Sequence, residues 1–246
     1  MVKHFIAISS LYSQGIRIAW HYAAEKINQE VIREFLNSVK KKNGDVQLGI
    51  HQIATDSSSW DSVIKYDEYF KDIVVYNEKK RDDFIASITE DHSLKAMDVA
   101  KFILSLKPVS HLKLQKLTYF SYERFLKATG VKLFPDEIVA WKYGPVVPSI
   151  YEHFKKHGKE EIENEEPADI MVFSSELMVP ASYTKILTSE HGSVAFEIIT
   201  SVIQDHLDKD PWDLVTLSHA EGSPWDKVYK PDQSRTISDD IILSYA

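Results

Sequence analysis

The chain of 246 residues contains no cysteine. That absence excludes disulfides, a cysteine nucleophile and any thiolate metal site. It also suits a cytoplasmic protein, which is the expected location. Long apolar runs are missing too. No stretch approaches the ~18 uninterrupted apolar residues of a membrane helix. The opening residues, MVKHFIAISSLYSQGIRIAW, lack a basic segment followed by a long apolar one and a small-residue cleavage site. No signal peptide is therefore expected. Positive charge is in deficit, with 29 Lys and Arg against 37 Asp and Glu and a net charge of −8. Such a field repels phosphate backbones, so nucleic acid is disfavoured except through a complex, and a basic protein is the better partner. Neither G-x-G-x-x-G, a P-loop nor H-E-x-x-H occurs, and no cofactor or metal is expected.

What is present is ordinary globular composition, 43% hydrophobic and 27% charged, enough for one or two domains. Two parts are predicted, residues 1–92 and 93–246. In the first, Ile16, Trp20, Ala23, Ile27, Val31, Phe35 and Val39 recur at helical steps and predict one amphipathic helix. Lys40-Lys41-Lys42-Asn43-Gly44 reads as its stop. Val46, Leu48 and Ile50 alternate as in a strand. "DSSSWDSVIKYDEYF" supplies caps for a second helix. Residues 72–76 read as another strand, with a charged helix after them. The whole is a small α+β unit.

The second part reads as mainly α, a compact helical domain with a short extended segment. Ser93 is the expected N-cap of its first helix, which Pro108 ends. Ser110 caps a long helix that Gly130 terminates. "EIVAW" is short and extended, and helix resumes after Pro148 up to Gly158. The acidic stretch 159–169 reads as a solvated loop that is able to meet a basic partner. Helical patterns occupy 181–190 and 194–207. Asp210 and Pro211 open another helix, and "SDDIILSYA" a last one.

Candidate chemistry is sparse. His153 and His157 share a helix face as metal ligands do, but no third ligand has a matching spacing. Ser218, His219, Glu221 and Asp213 can be drawn as a nucleophile–base–acid set. However, adjacent residues on a helix point about 100° apart, and there is no nucleophile elbow. "KLQKLTYFSYERF" mixes basic and aromatic residues. Its helical reading puts Leu114, Leu117, Tyr119 and Phe120 in the core with the lysines outward. No catalytic residue is assigned.

In "AWKYGPVVPSIYEHF" (140–154), Gly144 frees the backbone and Pro145 fixes the next φ, while Trp141 and Tyr143 carry large apolar area. The chemistry is that of a rigid corner. This segment, with "LKLQKLTYFSY" (112–122) and "LVTLSHAEGSPWDKVY" (214–229), resembles the Panacea domain of SocA-like and GepA-like, phage-associated antitoxin proteins over residues ~93–246. The signature positions are Leu114, Lys116, Leu117, Tyr119, Ala140, Trp141, Gly144, Pro145, Val146, His219, Pro224 and Trp225, which the resemblance implies are structural. It further implies an antitoxin, not an enzyme, that masks a cognate toxin encoded nearby. The alternative it carries is a proteolytic adaptor that delivers the toxin to a host protease. A homo-oligomer is the other assembly considered. Residues 1–92 lie outside the resemblance and are expected to serve toxin specificity.

Overall fold

The computed structural model describes residues 1–12, 14–44, 46–164, 171–174, 177–179 and 181–245. The chain forms two compact units, Met1–Ser93 and Leu94–Ala246. Among the described residues, no helix is long and apolar enough to cross a membrane.

The first unit holds β1 (Val2–Leu11), β2 (Ile16–Ala24), α1 (Gln29–Asn43), β3 (Gly49–Thr55), α2 (Trp60–Tyr66), β4 (Ile73–Asn77) and α3 (Arg81–His92). Its sheet runs β3-β1-β2-β4. β1 is antiparallel to β2 and β3, and β2 is parallel to β4. Phe5, Ala7, Ile18, Trp20 and Tyr22 face α1 and α3, meeting Ile32, Phe35, Phe84 and Ile88. Ile6, Ile8 and Ala19 face the other way, toward Val63 of α2 and Phe70.

The single helix expected from Ile16 to Val39 is therefore wrong in its first half. Ile18, Trp20 and Tyr22 alternate, and β-branched and aromatic residues suit the sheet they pair into. Ile16 and Trp20 match a helical step only because 4 is also a multiple of the strand period of 2, while Ala23, three residues on, falls on the opposite face of the strand. The helix starts after Asn28, whose side chain accepts the Glu30 N–H at 2.9 Å. The strand expected around Val46–Ile50 begins at Gly49 instead.

A buried polar chain crosses the second face of this sheet. Thr55 Oγ1 donates to Ser57 O (2.7 Å) and lies 2.8 Å from His4 Nε2. It therefore accepts from His4 Nε2–H, which leaves His4 Nδ1 bare to accept from His21 Nε2–H at 2.8 Å. The two rings lie side by side with their planes 6° apart and centres 5.1 Å apart, as the bond requires. Burial, then the neighbouring His4, pushes His21 down to about 4. As pH falls below the unfolded value near 6.5, the unfolded chain takes up a proton that the native one refuses. Stability must therefore fall between pH 6.5 and about 4. His21→Gln keeps an N–H donor without a titrating ring. It is expected to remove about 2 kcal/mol of that acid loss, read from urea unfolding at pH 7.5 and 4.5. An equal pH dependence in both proteins would remove the histidine pair as its source.

The second unit contains α4 (Ala96–Leu106), β5 (Val109–Ser110), α5 (His111–Thr129), β6 (Val139–Trp141), β7 (Gly144–Val146), α6 (Pro148–Phe154), β8 (Glu161–Ile162), β9 (Met171–Ser174), β10 (Leu177–Val179), α7 (Ala181–Leu187), α8 (Gly192–His206), α9 (Pro211–Ser218), α10 (Pro224–Val228), β11 (Arg235–Thr236) and α11 (Asp239–Leu243). α5 is its axis, with α4, α6, α8, α9, α11 and β7 packed around it. Ser110 caps α5 through the Lys113 N–H, and Gly130 ends it in the left-handed region at φ 73°. Ser93 is not the cap of α4. Lys95 holds that position, and Asp98 reaches back to its N–H at 2.8 Å. The acidic stretch is not all loop. Glu161–Ile162 pairs with Val109–Ser110, and Ile162 is fully buried. Residues 165–169 of it lie outside the described residues.

Candidate functional site

α5 is buried on nearly every side, so polar residues of its first half point into protein, Gln115 and Lys116 among them. Gln115 binds both backbone groups of Val147: its Oε1 accepts the N–H at 2.9 Å, and its Nε2 donates to the carbonyl at 3.3 Å. Lys116, fully buried, donates from Nζ to the carbonyl of Pro145 at 2.8 Å. The expectation that the lysines of this helix point outward fails at Lys116. A helix at the centre of a unit has no outward face there, and the lysine is retained by the carbonyl it serves. Burial alone lowers its pKa to about 7.

The β6–β7 corner lies over this lysine. Gly144 has φ 104°, a region that side-chain-bearing residues rarely adopt. A Cβ built there would stand 2.6 Å from both Lys116 Nζ and Ser218 Oγ. Three elements thus converge on one α-carbon: α5 through Lys116, β7 through Gly144 and α9 through Ser218. Ser218 stood out in the sequence only as a possible nucleophile, and Gln115 and Ser223 carried no signal of a role here. The S-x-x-D spacing of Ser223 and Asp226 was readable as a cap. Ser223 accepts the Asp226 N–H and donates to Ser218 O at 3.0 Å, while Asp226 accepts the Gly222 N–H.

The tryptophans lock the corner from the other side. Trp225 Nε1 donates to Trp141 O at 2.7 Å, and Trp141 Nε1 donates to Ser234 Oγ at 2.8 Å. His219 stacks on Trp225 at 3.5 Å with the planes 5° apart, and Trp225 also stacks with Tyr229. His219 Nε2 is buried with no hydrogen-bond partner. Burial, then the charge of Lys116, lowers its pKa, with Asp226 opposing. Leu114, Leu117, Tyr119, Ala140, Pro145, Val146 and Pro224 are buried around this arrangement.

The nucleophile–base–acid set does not assemble. Ser218 Oγ donates to Val215 O at 2.8 Å, within its own helix, while Asp213 is exposed. What does assemble, Lys116 with Ser218 beneath Gly144, is closed: the lysine is 0% exposed and the serine 3%. His153 and His157 both pack against Phe154. Among the described residues, no group of three or more His, Asp or Glu is placed to hold a metal ion.

Internal polar clamps, Gln115 on Val147 and Lys116 on Pro145, thus pin the second unit. The family model for the antitoxin SocA-like, Panacea domain matches residues 114–226, the span from α5 to α10. Antitoxin SocA of Caulobacter vibrioides is 34% identical over 148 residues, covering 57% of this chain and 74% of that protein. The chain belongs to the SocA-like Panacea antitoxin family. No solved structure matches it.

Proposed function

We propose that this chain is the antitoxin of a two-protein pair and neutralises its toxin by direct binding, without turnover. The observation that carries this reading is the closure of the signature cluster. Lys116 and Gly144 are wedged together with Ser218 beside them, buried and spent on internal contacts, which supports structural roles for them. The work then falls to the surface they hold in shape. The net charge of −8 favours a basic toxin by steering. Residues 1–92 form a unit of their own kind in front of the shared domain, and we assign to it the choice of one toxin among many.

The test is co-expression of the full chain with the protein encoded beside it, scored by growth and by isolation of the pair. Restored growth with a stable purified complex is the expected result. Restored growth with the neighbour degraded only when a host protease is present would replace masking by adaptor delivery. Restored growth with the neighbour soluble and unbound would sink direct binding. Removal of residues 1–92 is expected to abolish neutralisation, and its retention would return specificity to the second unit.

A further inference from the structure

Two aromatic side chains beside the closed corner are left in solvent. Tyr143 occupies the β6–β7 turn and is 48% exposed, and Trp212 lies in the first turn of α9 and is 56% exposed. They meet edge to face at 5.5 Å and 85°. Both supports are stiff. The turn is tied by the bonds of Trp141, Trp225 and Lys116 already described, and α9 starts at Pro211 with Asp210 accepting the Trp212 N–H at 2.8 Å. Exposed aromatics on a rigid frame lose little freedom on binding, which is the property of interface hot spots.

The surroundings say what such a pair would meet. Asp208, Asp210 and Asp213 flank Trp212 in sequence with Lys209 between them, and Lys113 offsets the charge of Asp208 and Asp210. Asp208 is matched by Lys107 at 3.4 Å, whereas Asp213 makes no ion pair among the described residues. The ring of Tyr143 has Lys142 Nζ 5.4 Å from its centre, a cation that an incoming one would displace. A second copy of this chain, with its own net charge of −8, is repelled from the same surface.

We propose that Tyr143 and Trp212 form the anchor of the toxin-binding surface, and that they receive a basic segment of the toxin, an arginine or lysine laid on the rings and paired with Asp213. This inference rests on the direct-binding reading above. The signature corner then has a purpose: it holds Tyr143 in place for the encounter.

The test uses the purified full chain and the protein encoded beside it, titrated by calorimetry at low and high salt. Trp212→Ala and Tyr143→Ala are expected to unfold at the wild-type midpoint, since both side chains are exposed, and to weaken binding by about 30-fold or more each. Asp213→Lys is expected to weaken it by about tenfold at low salt and to flatten the salt dependence. Wild-type binding with all three variants within threefold would overturn the anchor and leave direct binding standing. No binding by the wild-type chain would remove both. Loss of self-association in Trp212→Ala, with toxin binding intact, would assign the pair to a homodimer and also overturn the proposal.

Discussion

Gly144→Ala is expected to lose about 3–5 kcal/mol of stability, enough to leave the second unit largely unfolded at growth temperature. Two penalties add. The backbone at φ 104° is strained for any residue with a Cβ, at roughly 1–3 kcal/mol. The new methyl also meets Lys116 Nζ and Ser218 Oγ at 2.6 Å and Lys116 Cε at 2.9 Å. Overpacking of that kind costs about 1–3 kcal/mol. A lysine tip often swings aside cheaply, but this one is fully buried, and moving it breaks its bond to Pro145 O. Gly130→Ala is the control. Its φ is 73° and nothing lies within 4 Å of the added Cβ, so only about 1–2 kcal/mol should be lost. Urea unfolding of the two variants separates the readings: equal losses would mean that the contact beneath Gly144 does not matter.

Lys116 makes the second large prediction, and its sign follows from burial. The native pKa is about 7, whereas an unfolded lysine titrates near 10.5. Between those values the unfolded chain keeps a proton that the native chain has released. Stability should therefore rise with pH across that window, by at most about 5 kcal/mol. Below pH 7 both states are protonated and this contribution is flat. Above about pH 10 the gain is opposed by Tyr119 and Tyr122, whose hydroxyls burial holds protonated in the native state. Lys116→Met should abolish the rise between pH 7 and 9.5 while staying within about 1.5 kcal/mol of wild type at pH 7. It trades a buried charge for a bare Pro145 carbonyl. Lys116→Ala should lose about 2–5 kcal/mol, because it also leaves a cavity. An unchanged pH slope in Lys116→Met would place the titrating group elsewhere.

Local signals in this sequence were read well where one residue decides the outcome. Ser110, Asp210 and Gly130 cap helices because each satisfies, or frees, a backbone group within a few residues of itself. Pro108 follows the end of α4 for the same reason. Ser93 is the local exception, displaced by Lys95 and Asp98; the other failures came where the deciding partner is distant in sequence. Residues 16–24 carry apolar side chains that fit both a helix and a strand. Pairing with residues 3–11 makes them a strand, and periodicity within the segment does not contain that fact. Glu161 and Ile162 look like solvated loop until Val109 and Ser110 lie beside them.

The signature cluster divides along the same line. Its residue types, the corner at Gly144-Pro145 and the absence of thiol chemistry were all determined by the sequence itself. They were enough to show the resemblance to a family. Which polar groups turn inward was decided only by the tertiary structure. Lys116 reads as a solvated lysine on an amphipathic helix until α5 is surrounded and Pro145 O stands 2.8 Å away. Tyr143 reads as apolar area fixing a corner until it proves to lie half in solvent against Trp212. The physical reason is that burial is set by what packs against a residue from elsewhere in the chain, whereas caps and turns are set by its neighbours.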